Sequence, residues 1–294
     1  MNSIALRRIF LISGLLLLIG WTSCGIAQDT LRGAIKLNAT TSTEFHRGKN
    51  YLFVVGIDKY QKWLKLGNAV SDAKGIVKML TENFGFTLPV PPLYDEKATR
   101  KNIEESLEQV RRSLTRDDNL VIFFAGHGHT RTDTIGKELA IKSGYLIPVD
   151  GAGLQEDKLN SYLKIDHLLN LFSLYPARHV TLILDACHSG LALGGEAESY
   201  RSAVEYAQNL ESKVSRRVLT SARAEQLASD VGPLPGHSLF TGTMIEGMRT
   251  GRADIDQNGL ITSSELGLYL EQEVSDYSSG RQIPDFGSFR LDDR

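Results

Sequence analysis

Short runs of consecutive apolar residues alternate with amphipathic stretches along most of the chain. The runs are rich in aliphatic, aromatic and β-branched residues, which predicts buried strands at residues 51–57, 120–124, 145–149, 179–184 and 218–221. Between them, apolar positions recur every three or four residues, which predicts helices at 69–84, 99–114, 165–175, 238–248 and 263–277. This alternation predicts an α/β protein, a three-layer α/β/α sandwich around a mostly parallel sheet. The polar segment 131–143 is interpreted as a loop.

The N-terminus departs from this pattern. Arg7 and Arg8 precede an apolar stretch at 9–21, which is shorter than the ~20 residues of a membrane span and is typical of a secretory signal. Small residues predict cleavage after Ala27, so that 1–27 is a signal peptide, 28–48 a flexible lead-in and 49–294 the folded domain. Export to the periplasm or the medium follows. Two alternatives stay open, a lipoprotein signal with lipidated Cys24 and an uncleaved membrane anchor.

Composition narrows the classes of function. With 41% hydrophobic and 23% charged residues the chain is typical of a globular protein, and its net charge of −2 without a basic tract argues against nucleic-acid binding. The chain has two cysteines. Because Cys24 lies in or beside the signal, Cys187 is expected to be the only other thiol of an exported protein, without a disulfide partner. A thiol kept in an oxidising compartment suggests that the thiol itself is used.

Two predicted strands end beside side chains with the chemistry of a cysteine hydrolase. His127 stands between two glycines after the strand 120–124, and Cys187 lies within Asp-Ala-Cys-His-Ser-Gly after the strand 179–184. Because active residues of parallel sheets gather at the carboxyl ends of strands, we expect one shared site. His127 is interpreted as general base and then general acid, and Cys187 as the nucleophile. The backbone amides of Gly128 and Cys187 are candidates for an oxyanion hole.

The same side chains also fit structural roles. A cysteine at a strand end is often a small buried hydrophobe, and a histidine beside glycines is often a turn residue. The spacing of Cys187, His188 and His129 matches no tetrahedral zinc pattern. The chemistry of the pair needs no cofactor.

At several points the sequence resembles the caspase, metacaspase and paracaspase peptidases. The two segments around His127 and Cys187 are similar to the catalytic signatures of that family, and the similarity extends to Gly56–Tyr60, Ser71-Asp72-Ala73 and Leu146–Asp150. The resemblance runs from about residue 50 to 270. It implies a caspase-like fold with a His127/Cys187 dyad that hydrolyses peptide bonds through an acyl-enzyme, acting on protein or peptide substrates.

The resemblance also implies a preference at P1, the substrate residue before the cleaved bond. In the metacaspase and paracaspase branch, the aspartate two residues before the cysteine helps to bind the P1 side chain, and a second aspartate lies early in the first helix. These correspond to Asp185 and Asp72, with Glu225 as a candidate third acid. Carboxylates select arginine or lysine. Residues 61–72 contain no arginine, whereas caspases that cleave after aspartate use one there.

Calcium is a candidate ligand by two routes. The activating site of calcium-dependent metacaspases uses several aspartates, of which Asp150 and Asp166 are the matches here, while the aspartate expected shortly after the cysteine is missing. The second route is the loop 254–265, which fits an EF-hand pattern. Its candidate ligands are Asp254, Asp256, Asn258, Leu260 and Glu265. The alternative is a polar turn in which Thr262 or Ser263 caps the next helix and Glu265 completes a capping box.

The sequence thus predicts an exported cysteine endopeptidase that cleaves after arginine or lysine. The alternative is a catalytically silent caspase-like module that binds a peptide or partner. Contact with a membrane is expected only through the N-terminal segment, if that segment is retained or lipidated. Self-cleavage is a further expectation, and its candidate points are Lys213, Arg216 and Arg217.

Overall fold

In the computed structural model, residues 48–135, 139–186, 214–223, 226 and 228–289 are described. The strands of this part of the chain are β1 (Asn50–Gly56), β2 (Leu93–Tyr94), β3 (Asn119–Ala125), β4 (Gly128–Ile135), β5 (Leu139–Leu146), β6 (Leu163–Lys164), β7 (His179–Asp185), β8 (Ser215–Thr220) and β9 (Asp285–Ser288). Its helices are α1 (Ala69–Phe84), α2 (Arg100–Ser113), α3 (Ile165–Ser173), α4 (Leu239–Thr250) and α5 (Ser263–Ser278).

The central sheet has six strands in the order β2-β1-β3-β7-β8-β9. All neighbours are parallel except β9, which runs antiparallel to β8. Alternate residues of β1 enter two different cores, with Phe53 on the side of α2 and α3 and Leu52 on the side of α1, α4 and α5. The sheet is therefore buried on both faces, and the prediction of a three-layer α/β/α sandwich is confirmed.

The helix ends follow the sequence signals closely. Helix α1 covers the predicted residues, and Gly85 ends it in the left-handed conformation at φ 68°. Thr99 caps α2 by accepting a hydrogen bond from the Asn102 N–H, and Ser238 caps α4 by accepting one from the Thr241 N–H. These side-chain oxygens satisfy amides at the helix start that have no partner within the helix.

The interpretation of 131–143 as a loop is wrong. Strands β4 and β5 pair antiparallel from Gly128–Leu146 to Ile135–Leu139, and β5 also pairs with β6, which gives a separate three-stranded sheet. Thr132 and Asp133 are both exposed although they point to opposite faces of β4. This part of β4 is therefore exposed on both faces, and the apolar alternation that would predict a strand is missing.

The expectation of self-cleavage at Arg216 or Arg217 is not supported by the fold. Both residues lie in β8, which is paired with β7 on one side and β9 on the other. Arg216 is 5% exposed, and its guanidinium donates to the carbonyls of Tyr175 and Ala177. A peptidase reaches these bonds only after the strand leaves the sheet. Lys213 lies outside the described residues.

The predicted signal segment and all of the lead-in up to residue 47 also lie outside the described residues. Within the part of the chain that the structure describes, no helix combines the length and the apolar character needed to cross a membrane.

Candidate active site

The carboxyl ends of three neighbouring strands gather the candidate catalytic segments. Ala125 at the end of β3 pairs with Gly56 of β1 on one side and with Asp185 of β7 on the other. The Gly126 N–H extends this ladder to the Asp185 carbonyl at 3.1 Å. The chain therefore leaves β3 towards His127 beside the point where it leaves β7 towards Cys187. Cys187 itself lies outside the described residues, whose segment ends at Ala186.

The His127 imidazole is oriented by a backbone carbonyl. Its Nε2 lies 2.8 Å from the Leu64 oxygen. A carbonyl can only accept, so Nε2 carries the proton and Nδ1 holds the lone pair. The Leu64 side chain is 83% exposed, so this residue contributes its carbonyl rather than core packing. The tautomer leaves Nδ1 free to act as a base.

Tyr60 contacts both the backbone and the ring of His127. The His127 N–H donates to the Tyr60 hydroxyl at 2.7 Å, and the two rings lie 4.7 Å apart. A Cβ on Gly126 would stand 2.4 Å from the same hydroxyl, so glycine is required for this close approach. Trp63 completes the support, with its ring 5.5 Å from His127 and its Nε1 donating to the Ala152 carbonyl at 2.8 Å.

Burial sets the protonation state of His127. Its pKa is lowered, mainly by desolvation, although the Leu64 carbonyl and the charge of Asp230 act in the opposite direction. An imidazole with a pKa below its usual value of about 6.5 is neutral at pH 7. His127 is therefore in the form that can accept a proton from a thiol.

The amide of Gly128 is free of the β4–β5 ladder. The Ile147 N–H donates to the His127 carbonyl at 3.0 Å, which makes Gly128 and Leu146 a pair without mutual hydrogen bonds. Because the trans peptide group points its N–H opposite to its carbonyl, the Gly128 N–H points away from β5. This orientation suits a donor of an oxyanion hole.

Asp72 and Asp185 come together although 113 positions separate them in the sequence. Asp72 is 2% exposed and Asp185 is 7% exposed. The Ser238 N–H donates to Asp72 Oδ1 at 3.0 Å, and the Ser238 hydroxyl donates to Asp185 Oδ2 at 2.5 Å. Thr241 adds a second hydroxyl to Asp185 Oδ2 at 2.6 Å. The start of α4 thus holds both acids.

The two carboxyl groups oppose each other's ionisation. Burial, followed by the charge of Asp185, raises the pKa of Asp72 to about 8, although hydrogen bonds from Ser238 act against this rise. Burial also raises the pKa of Asp185. At neutral pH and without a cation beside them, the two carboxyl groups are consequently not both ionised. A cationic side chain between them would favour full ionisation.

Part of the site was missed in the sequence. Leu64 and His237 lie in no motif, and Tyr60 lies in the family-like segment Gly56–Tyr60 without a role assigned to its hydroxyl. All three residues act on groups that are distant in the chain. Ser238 was recognised as a helix start but not as a ligand of both acids. Asp58 follows β1 and accepts from the Ala69 N–H at 2.8 Å, which fixes the start of α1 and hence Asp72. Glu225, the candidate third acid, lies outside the described residues.

The acidic loop between α4 and α5 brings three candidate ligands together. Carboxylate oxygens of Asp254, Asp256 and Glu265 lie within 4.8 Å of one another. The two remaining candidates join the same turn, because the Leu260 N–H donates to the Asn258 side-chain oxygen at 2.8 Å. Oxygen donors at this spacing fit calcium.

The same loop also has the features of the alternative, a polar turn that caps α5. Thr262 caps α5, and Glu265 Oε2 accepts from the Thr262 N–H at 2.9 Å, which completes the capping box. Helix α4 ends at Thr250, before the loop begins, so the entering helix does not run directly into the ligands. Asp150 and Asp166 have local partners, the Arg100 N–H at 2.9 Å and the Lys164 ammonium at 3.8 Å.

Comparison with known proteins identifies the family of this chain. The sequence model of the caspase domain matches residues 49–294. A metacaspase-1 of Scheffersomyces stipitis is 26% identical over 159 residues, which are 50% of this chain and 37% of that protein. A metacaspase-3 of Arabidopsis thaliana is 28% identical over 156 residues, 50% of this chain and 41% of that protein. The chain thus matches less than half the length of these curated relatives.

Solved structures resemble the fold at low sequence identity. Protein GSU0716 of Geobacter sulfurreducens aligns with a TM-score of 0.56 at 20% identity, over 82% of this chain and 93% of that one. The Drosophila initiator caspase Dronc aligns with a TM-score of 0.51 at 11% identity, over 96% of this chain and 93% of that one.

Proposed function

This chain belongs to the caspase-domain family, and on that premise we propose that it is a cysteine endopeptidase that cleaves after arginine or lysine. The observation that carries the proposal is the parallel register of β3 with β7. It brings His127, with Nδ1 as the basic nitrogen, to the sheet edge from which the chain continues towards Cys187. The metacaspases similar to this chain support the same class of reaction.

The proposed reaction proceeds through an acyl-enzyme. His127 Nδ1 takes the proton of the Cys187 thiol, and the thiolate attacks the carbonyl carbon of the peptide bond. The Gly128 and Cys187 amides stabilise the oxyanion, and losing one such donor typically costs about 3–4 kcal/mol. The C–N bond then breaks as the imidazolium protonates the leaving amine. A water activated by His127 attacks the thioester and restores the thiol.

Preference for a basic P1 residue is supported by the acids at the start of α4. Asp72 and Asp185 are buried, share Ser238 as a donor and are short of charge at neutral pH. An arginine or lysine side chain supplies the cation that this pair lacks, and the planar guanidinium offers several donors to two carboxylates. Glu225, in the segment that follows β8, is proposed as a third acid of the pocket from the sequence alone.

Peptides that differ only at P1 test this preference. We expect the purified protein to cleave Arg-P1 and Lys-P1 peptides, and to cleave a matched Asp-P1 peptide at least 100-fold more slowly, because a third carboxylate would have to be buried beside two others. Asp72→Asn and Asp185→Asn should raise KM for the Arg-P1 peptide. Faster cleavage of the Asp-P1 peptide would rule out the proposed specificity.

We also propose that the loop 254–265 binds calcium. The cluster of Asp254, Asp256 and Glu265 and the oxygen donors at its intervening positions support this site. Binding would replace the capping contact of Glu265 and tie α4 to α5. Calorimetry on the metal-free protein should detect calcium, and saturation should raise the unfolding temperature in the wild type but not in Asp256→Asn. No heat at millimolar calcium would refute the site.

Export and the state of the N-terminus remain proposals from the sequence. A signal that ends at Ala27 gives a mature protein that begins at Gln28. Mass spectrometry of the mature protein tests this directly. An intact Met1 in the membrane fraction would contradict cleavage, and a lipid on Cys24 would establish the lipoprotein alternative.

A further inference from the structure

His237 lies directly behind the paired acids. It precedes the Ser238 cap of α4, and its Nδ1 lies 2.8 Å from Asp72 Oδ1. The side chain is 16% exposed. On α1, a Cβ at Gly75 would stand 2.6 Å from His237 Cε1, so the imidazole packs directly onto the helix one turn after Asp72. Neither the family resemblance nor the sequence pattern assigns a role to this histidine.

Asp72 is held mainly through one of its two oxygens. Oδ1 lies 2.8 Å from His237 Nδ1 and accepts from the Ser238 N–H at 3.0 Å. Among the described residues, Oδ2 accepts the longer contact from the Ser238 N–H, at 3.3 Å. His237 and Ser238 therefore fix the direction in which the second oxygen points. A carboxylate fixed in this way is prepared for a ligand, since no rotation has to be frozen on binding.

We propose that His237 is a positioning residue of the P1 pocket, whose Nδ1–H holds the Asp72 carboxylate oriented for an arginine or lysine side chain. This inference rests on the proposed endopeptidase function. His237 acts through Asp72 and is not assigned a contact with the substrate. The expected consequence of its loss is weaker binding of a basic P1 residue, with the chemistry at Cys187 largely unchanged.

The loss of His237 should also change the pKa of Asp72. Burial lowers the pKa of His237, so the ring is a neutral donor at pH 7. A donor to the ionised carboxylate favours that form, and its removal should raise the pKa of Asp72 beyond about 8. The other ionisable groups that act on Asp72 are Asp185 at the end of β7 and Asp230 in the segment before His237. Both are acids and oppose the ionisation of Asp72, whereas hydrogen bonds from Ser238 favour it. The proposed Nδ1–H donor of His237 would act in the same direction as Ser238.

Two substitutions separate positioning from general packing. His237→Leu keeps much of the volume but removes the donor. His237→Asn places an amide N–H near the position of Nδ1 and does not titrate. For an Arg-P1 peptide at pH 7, we expect His237→Leu to raise KM about 10-fold, the usual effect of losing a hydrogen bond to a charged group, with kcat within about threefold. We expect His237→Asn to recover most of the loss.

The pH profile gives a readout that a purely structural role would not move. The apparent pKa seen in the pH dependence of KM should lie about one pH unit higher in His237→Leu and return in His237→Asn. Val231→Ala is the control, because Val231 lies in the same segment and is 73% exposed. Unfolding temperatures identify any variant that fails to fold, and if His237→Leu fails, His237→Ala, which also removes the donor, takes its place in both comparisons.

The outcomes distinguish this inference from the proposed function. If the wild type cleaves Arg-P1 peptides and His237→Leu leaves both KM and its pH profile unchanged, the role of His237 is refuted and the endopeptidase assignment stands. A loss confined to kcat would likewise overturn the positioning role. If the wild type cleaves no Arg-P1 peptide, the proposed specificity fails, and the role of His237 fails with it.

Discussion

Tyr60 is the side chain on which the position of His127 depends most directly. Its hydroxyl accepts from the His127 N–H at 2.7 Å, and its ring lies beneath the imidazole. Tyr60→Phe removes only that oxygen, so we predict a kcat about 10-fold lower with KM nearly unchanged, because a small displacement of a general base slows the chemical step. Steady-state kinetics with an Arg-P1 peptide test this.

Tyr175→Phe is the matched control for that variant. The Tyr175 hydroxyl is also buried and donates to the Leu107 carbonyl at 2.9 Å. Neither Tyr175 nor Leu107 belongs to the site. Both variants should lose about 1–2 kcal/mol of unfolding free energy, because each removes the hydrogen bond of a buried tyrosine hydroxyl. Equal losses of kcat in the two variants would show that destabilisation, and not the position of His127, is responsible.

At the residue scale, motifs in the sequence indicate the catalytic and substrate-binding residues but not the residues that hold them in position. Asp72 and Asp185 were predicted by resemblance and meet around Ser238. The Leu64 carbonyl, the Tyr60 hydroxyl and the His237 imidazole were not predicted. Each acts on a residue that is distant in the sequence, and the same residue types serve ordinary turns and cores elsewhere. Such contacts depend on the packing of loops against strand ends, which local patterns do not record.

At the scale of elements, helix α4 connects folding with specificity through its N-cap. Ser238 caps the helix by accepting from the Thr241 N–H and binds both acids. We predict that Ser238→Ala lowers the unfolding free energy by about 1–2 kcal/mol, the usual cost of losing an N-cap, and also raises KM for Arg-P1 peptides at least 10-fold. Denaturant unfolding and kinetics on the same sample test both parts.

Thr262→Ala is the corresponding variant of α5. Thr262 accepts from the Glu265 N–H in the same geometry but does not contact either acid of the pocket. It should show a similar loss of stability with KM unchanged. If Ser238→Ala and Thr262→Ala alter KM by the same factor, the effect of Ser238→Ala reflects loosening of the helices rather than the loss of its contacts with the two carboxylates.

The helices and strands that bury an apolar face are predicted correctly from the sequence. Helix α1 and strands β3 and β7 have continuous apolar faces and were found within a residue or two. The β4–β5 hairpin does not follow from the pattern because the described residues 132–134 of β4 are exposed on both faces. The short edge strand β9 was also missed, since residues 285–288 contain glycine and aspartate and no apolar run.

At the scale of the whole molecule, the paired acids make stability depend on pH. The folded state raises the pKa of Asp72 to about 8, whereas an unfolded chain has about 3.9. The native state therefore binds more protons over this range, and stability falls as pH rises from about 4 to 8. Asp72→Asn removes this dependence, so we predict a higher unfolding temperature than the wild type at pH 8 and a smaller difference at pH 5.

Scanning calorimetry at several pH values measures that difference. The gain at pH 8 should be on the order of 1–3 kcal/mol, accompanied by loss of Arg-P1 cleavage. Leu168→Ala in the opposite core, where Leu168 is 5% exposed, should lower stability by a nearly constant amount at every pH. An Asp72→Asn variant that is less stable at pH 8 than at pH 5, relative to the wild type, would contradict the raised pKa.

The central claim is that His127 and Cys187 form one catalytic unit. The most direct test compares hydrolysis of an Arg-P1 peptide by the wild type, His127→Ala and Cys187→Ala, together with the rate at which iodoacetamide alkylates Cys187 in the first two. We predict that each substitution abolishes turnover, because neither group acts without the other, and that alkylation near pH 7 is slower in His127→Ala. Turnover by Cys187→Ala equal to that of the wild type would contradict the account.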